Sequence, residues 1–389
     1  MREPLSLRTQ LNATEENPML IKVNRKIAFE LFDALLERWT AEPKQFPYNQ
    51  PDAILPQAYL SEDLRTDKRM LACFYFYVCI YMRGGIESLQ VFRALERMLL
   101  EHPALFDPYV AQWLTPSGME TVLREYIGWD AKRASINWVE NSRRLVRNWD
   151  GNPLRLLAGL RNWNEALRRL RNKRTKRDVR AAGTSGEGFY GFQPKMVSML
   201  LYFYDWEGWL EKRFLYPSPA DFHNFRLGLN QGAIAVSPTQ PVLRTSEKLS
   251  APWRATVMAY LRLRRADPVK VADALWLFSL VMCGNSPLTV TKTGNGAGLF
   301  AQEDLPHVVD DQTFRLPKFR RALERTCLRC PFVERCTLAI PSQPYYRKGL
   351  LVLRPRPRVE EVYGIIPPDL PISPPSKSSM NLHLWEPDG

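Results

Sequence analysis

The sequence predicts a mainly α protein on three observations. Apolar residues recur at helical spacing, capping residues precede several of those stretches, and no sustained period-two alternation competes with them. The spacing predicts helices over 24–40, 66–83, 86–101, 118–127, 131–148, 194–204, 221–230, 252–265 and 268–283. Asp267 followed by Pro268 opens the last of these, and Ser218-Pro219-Ala220-Asp221 offers a cap for another. With 389 residues, 45% of them apolar and 11% aromatic, the chain is long enough to bury a substantial core in one large or two medium domains.

The longest apolar run, Leu71 to Met82, is too short to span a bilayer and ends in Arg83-Gly84-Gly85, so it reads as a buried helix and the chain is not expected to enter a membrane. Cys73 and Cys79 fall on different faces of that helix and read as small core residues. Met1-Arg2-Glu3-Pro4 is followed by polar residues, not by an apolar leader. This predicts a cytoplasmic protein whose cysteines stay reduced.

The net charge of +13 is concentrated. Between Asp130 and Arg180 stand fifteen Lys and Arg against five Asp and Glu, with Trp138, Trp149 and Trp163 among them. Such a stretch suits a phosphate-binding surface or a solvated basic helix face, and charge alone does not separate the two. A Gly- and Ala-rich segment follows the basic run and predicts an insertion over 165–187. A second predicted insertion, 284–326, is rich in Gly, Asn and Thr in its first part, and 341–389 is a Pro-rich tail.

Cys327-Leu-Arg-Cys330-Pro-Phe-Val-Glu-Arg-Cys336 is the strongest motif. Three thiolates at C-x2-C-x5-C spacing converge in one short loop, and Cys283, closing a predicted helix, is the obvious fourth. Four thiolates suit a [4Fe-4S] cluster. The alternative is a zinc site, which usually takes two C-x2-C knuckles where this chain has one.

The helix Ala274 to Cys283 followed by this loop resembles the carboxyl end of the endonuclease III and adenine glycosylase families, the helix-hairpin-helix DNA glycosylases. Gly188-Phe189-Tyr190-Gly191-Phe192-Gln193-Pro194-Lys195 resembles their hairpin, Pro219-Ala220-Asp221-Phe222-His223-Asn224-Phe225-Arg226 their Asp-x-His segment, and Gly128 to Ala134 the start of an earlier helix. The likeness spans about Tyr126 to Cys336. It implies two helical subdomains with an iron-sulfur cluster loop, divided as an amino-terminal region 1–116, a six-helix barrel-like subdomain 117–250, a helical and cluster subdomain 251–340 and the tail.

The resemblance implies a monomer that flips a base out of double-stranded DNA and cleaves its N-glycosidic bond, leaving an abasic site. Asp221 would stabilise the cationic sugar, although an Asp at a helix start is also a common cap. Lys195 matches the amine of bifunctional members, or else serves as a phosphate contact. Gly191, Gln193, Arg168, Arg169, Arg171 and Arg226 would bind DNA, and Cys283, Cys327, Cys330 and Cys336 would hold the cluster. Two features depart from the pattern. The hairpin reads Gly191-Phe192-Gln193 where the family has Gly-x-Gly, and forty-three residues separate Cys283 from Cys327. With the long amino-terminal region, these departures make the chain similar to the divergent glycosylase-like proteins of phages and anti-phage systems, relatives of the alpha-glutamyl/putrescinyl-thymine pyrophosphorylases. That likeness points to a modified, even hypermodified, base as substrate. A base-modifying transferase on the same scaffold and a non-catalytic DNA-binding subunit are the rival readings.

Overall fold

The computed structural model describes residues 20–82, 87–173, 187–237, 242–286, 317–340 and 350–355. Most of the two predicted insertions and of the Pro-rich tail lies outside them.

The chain is mainly helical, as predicted. Strand β1 (Leu20–Val23) leads into α1 (Arg25–Thr40), which Asn24 caps by accepting from the Lys26 and Ile27 amides. A short α2 (Glu62–Thr66) precedes α3 (Lys68–Tyr81), where every residue from Leu71 to Tyr81 is buried. Then come α4 (Ser88–Glu101), α5 (Pro108–Ala111), α6 (Pro116–Tyr126), α7 (Ala131–Trp149) and α8 (Trp163–Leu170). The second half holds α9 (Pro194–Trp206), α10 (Phe222–Asn230), α11 (Glu247–Arg264) and α12 (Pro268–Phe278). A π-helical turn, Ser279–Gly284, carries α12 on to Cys283, and α13 is Pro317–Arg325. None of the described helices is long and apolar enough to cross a membrane.

The sequence reading differs from the structure in three places. It puts 165–187 and 284–326 in insertions, yet α8 runs through Leu170 and α13 is regular helix. It also foresees no strands, and among the described residues six short ones form three antiparallel pairs. β1 pairs with β2 (Ile234–Ser237), β3 (Val242–Arg244) with β5 (Leu350–Val352), and β4 (Leu338–Ala339) with β6 (Arg354–Pro355). At two to four residues each, these strands are too short to show alternation.

Two apolar cores organise the molecule, and they do not follow the boundaries drawn from sequence. The first gathers α3, α4, α6, α7, α8 and α9, with Tyr75 stacked on Phe203 at 4.7 Å and Tyr77 on Trp138 at 4.1 Å. The second joins α1 to α10, α11 and α12 and to Phe332, Ile340, Leu351 and Leu353. The described residues of region 1–116 divide between the two: α1 belongs to the second core, and α3 to α5 pack in or on the first. At the seam, α9 packs on α12. There the Gln57 amide donates to the Tyr202 hydroxyl at 2.5 Å, and that hydroxyl donates to the buried Asp273 carboxylate.

Candidate functional site: a seam between two cores and a cysteine loop

The hairpin is built by α8, the turn Gly188 to Gln193, and α9. Gly188 and Gly191 adopt φ of +71° and +86°, values that favour glycine. A Cβ on Gly188 would lie 2.0 Å from the Arg171 carbonyl oxygen. Phe189 and Phe192 bury their rings against Phe76. From α7, Asn141 grips the turn twice, accepting from the Tyr190 amide at 2.6 Å and donating to the Tyr190 carbonyl at 2.9 Å. Arg144 donates to the Gly188 carbonyl at 2.8 Å and lies 4.0 Å over the Tyr190 ring. Sequence reasoning misses this clamp, although Asn141 and Arg144 are one helical turn apart on one face.

Beside the turn, Arg144, Arg171 and Lys173 gather with Glu187 as the carboxylate paired to Arg144. Burial, then Arg144 and Arg171, push the Lys173 pKa down to about 8.

The predicted DNA-contact residues divide. Arg168 and Arg171 are exposed, and Gln193 is half-buried at the mouth of α9 without a side-chain cap bond. Gly191 is buried. Arg169 turns inward, donating to the Leu156 and Ala158 carbonyls at 3.1 and 2.7 Å. Arg226 is 0% exposed and so is no DNA contact; its sequence gives no hint, because arginine in a basic protein reads as surface.

Lys195 and Asp221 come from different cores to one place. Lys195, in the first turn of α9, donates from Nζ to the Met82 carbonyl at 2.9 Å. Asp221 caps α10, its Oδ1 accepting from the Asn224 amide and side chain at 3.1 Å each. His223, within electrostatic reach of both, is edge-on to Phe222 and Trp276 with ring centroids 5.5 Å from each. Burial pushes the imidazole pKa down to about 3; Asp221 opposes this, while Arg226 and Lys195 add to it. Burial thus favours the neutral imidazole. The seam therefore offers a carboxylate, a neutral imidazole and an amine within electrostatic reach of one another.

Arg226 connects this helix to the cysteines. Its Nε donates to Ser279 Oγ at 3.0 Å, another nitrogen reaches the Ser279 carbonyl, and the guanidinium lies 4.8 Å over Phe222. Its Nη1 has no hydrogen-bond partner. A Cβ on Gly284, next to Cys283, would lie 3.4 Å from the guanidinium. A buried cation with an idle donor needs a negative neighbour. Burial pushes the Arg226 pKa down to about 10, with Cys283 the chief opposing influence.

All four predicted ligands are half-buried thiols outside any disulfide. The loop bearing three of them coils through two short 3-10 turns, Cys327–Arg329 and Val333–Arg335, closed by the Cys330 amide on the Cys327 carbonyl and the Cys336 amide on Val333. Phe332 anchors it on Phe278, and the Thr337 amide bonds the Asn230 carbonyl at the end of α10. Burial first, then the charges of Cys283, Cys327 and Cys336, raise the Cys330 thiol pKa. Cys330 thus stands within electrostatic reach of the other three sulfurs.

Among the described residues no three His, Cys, Asp or Glu side chains are placed to hold a metal ion. One zinc would need all its sulfurs about 2.3 Å from a single point. A cubane spreads its ligands over four irons. The all-thiol donor set of Cys283, Cys327, Cys330 and Cys336 and the idle Arg226 donor are what an anionic polynuclear group would require.

Against known proteins, the chain matches no protein-family model and no curated protein.

Proposed function

We propose that the chain is a DNA glycosylase of the helix-hairpin-helix type that excises a modified base, with a [4Fe-4S] cluster on the four cysteines. The observation that carries this reading is that Asp221 and Lys195, from helices of two separate cores, both lie within electrostatic reach of His223. A base swung out of a duplex needs a seam of this kind, with charge prepared for the sugar it leaves behind.

In this reading the bond between C1′ and the base nitrogen breaks, the electron pair leaves with the base, and the sugar becomes an oxocarbenium-like cation. Asp221 stabilises that cation, and water adds at C1′ to leave an abasic site. In the same reading the Lys195 amine attacks C1′ in water's stead, forming a Schiff base that leads to strand cleavage. Arg168, Arg171 and Lys173 beside the hairpin supply phosphate contacts. The cluster, when bound, supplies a folded carboxyl-terminal loop and no chemical step.

The test is incubation of the purified protein with unmodified, hydroxymethylated, glucosylated and aminated DNAs, scoring free base and abasic sites by mass spectrometry. Asp221→Asn should cut base release at least about a hundredfold while leaving the helix capped, because Asn caps as well as Asp. Release indifferent to Asp221 would remove the mechanism, and a base altered in place would indicate a transferase. The paired Asn224 contacts of Asp221 favour one other reading, in which the carboxylate is only a cap and the chain is a DNA-binding subunit. That reading predicts DNA affinity with no base release.

A further inference from the structure

On the first core, outside the segment that resembles the glycosylases, α5 and the turn after it present the most exposed large apolar side chain among the described residues. Trp113 is 82% exposed, with Tyr109 and Val110 at 40% and 42% beside it in sequence. Open tryptophan is costly to leave in water, and this one sits in a basic setting. Arg143 of α7 donates from Nε to the Gln112 carbonyl, the group joined to the Trp113 amide, at 3.1 Å. The Tyr109 hydroxyl donates to Asp150, and the Tyr109 ring lies where a Cβ on Gly151 would be, 2.7 Å away.

Asp150 and Arg155 are 3.0 Å apart on the rim of a groove of about 590 Å³ that also takes in Arg147, Trp149 and Arg169. Arg147 makes no hydrogen bond or ion pair among the described residues and is exposed. Arg143, Arg147, Arg155 and Arg169 face Glu140, Asp150 and Glu165 here, four cations to three anions. The Asp150–Arg155 pair is more than half exposed on both sides, so a phosphate displaces it at little cost.

We propose that this surface, Trp113 and Tyr109 flanking the Arg147–Arg155 groove, binds an unpaired nucleic-acid strand. Aromatic faces stack successive bases, and arginines track the backbone. A duplex offers phosphates to the arginines but no open base to Trp113, so the platform prefers a single strand. This does not depend on the glycosylase reading, because no residue of the seam takes part.

The experiment is fluorescence anisotropy of the full chain with fluorescein-labelled dT20 and with a duplex of equal length, across a salt series. Trp113→Ala should weaken dT20 binding about 5- to 100-fold, the range expected when one base is left unstacked, and change duplex affinity by less than about twofold, with Trp113→Phe in between. Arg147→Gln with Arg155→Gln should reduce the single-strand salt slope by about 1.4, or about 0.7 for each phosphate no longer neutralised. Circular dichroism and light scattering accompany each variant. Unchanged dT20 affinity and slope in folded variants overturn the proposal, as does a Trp113→Ala protein that changes only from dimer to monomer, which would assign the face to a second copy. Asp221→Asn run alongside should bind dT20 normally. If base release is never found but the Trp113 effect is, the platform stands and the glycosylase reading falls.

Discussion

Gly188 is held by its neighbours as much as by its own conformation. An alanine there meets the Arg171 carbonyl oxygen at 2.0 Å and takes φ of +71°. We expect Gly188→Ala to lower unfolding free energy by about 2–4 kcal/mol in urea titration, combining backbone strain with displacement of the Arg171 carbonyl at the end of α8. Asp273 is the second telling residue. Burial pushes its pKa up to about 7, with the Tyr202 hydroxyl and Lys44 lowering it and Asp267 raising it. A folded-state pKa above the unfolded value near 3.8 means that the folded chain binds the extra proton between the two. The contribution of Asp273 to stability is therefore fully present below about pH 4 and is lost as pH rises towards about 7, to a ceiling of about 4 kcal/mol. Burial shifts His223 the opposite way, so the wild-type curve mixes two slopes. The clean measurement is the melting-temperature difference between Asp273→Asn and wild type. It should grow in favour of the variant from pH 5 to pH 8, and a flat difference would mean Asp273 titrates normally.

Among the elements, the cysteine loop is held by few apolar contacts of its own: Phe332 on Phe278, and Cys330 packed against the second core. We expect Cys330→Ser to lower iron content and to lower the melting temperature before it touches DNA affinity, read by metal analysis and calorimetry; stoichiometric zinc in the wild-type protein would instead assign a mononuclear site. The same elements show what can be read from sequence. The long helices are legible because their apolar spacing and caps are local, as with Asn24, Asp67 and Asp267. The C-x2-C-x5-C loop is legible because its cysteines are neighbours in the chain. The short, basic α8 and α13 are hidden among charges, and the two-to-four-residue strands owe their existence to partners more than a hundred residues away, except for β4 and β6. The inward turn of Arg226 is hidden for the same reason: Ser279, which accepts from it, is 53 positions on.

For the whole molecule, the two cores divide the consequences of losing the proposed cluster. The cysteine loop touches only the second core, through Phe332 and Cys330. Chelating the iron should therefore raise hydrogen exchange in 317–340 and at the end of α10, where Thr337 bonds Asn230, while α3 and α9 keep their protection. Uniform loss of protection would show that the cores unfold as one.

The interleaving of the cores also sets the order in which the protein assembles as it is made. The first core draws on residues from about Leu60 to Tyr216 and is nearly complete once these have emerged. Helix α1 appears earlier, with Leu31, Phe32 and Leu35 facing partners, Trp253 and Tyr260 among them, that do not yet exist. At about 5–20 residues per second, its apolar face waits roughly 10 to 40 s for them. A nascent chain of this protein thus carries a bare amphipathic helix ahead of a finished domain, a natural client for a chaperone at the ribosome.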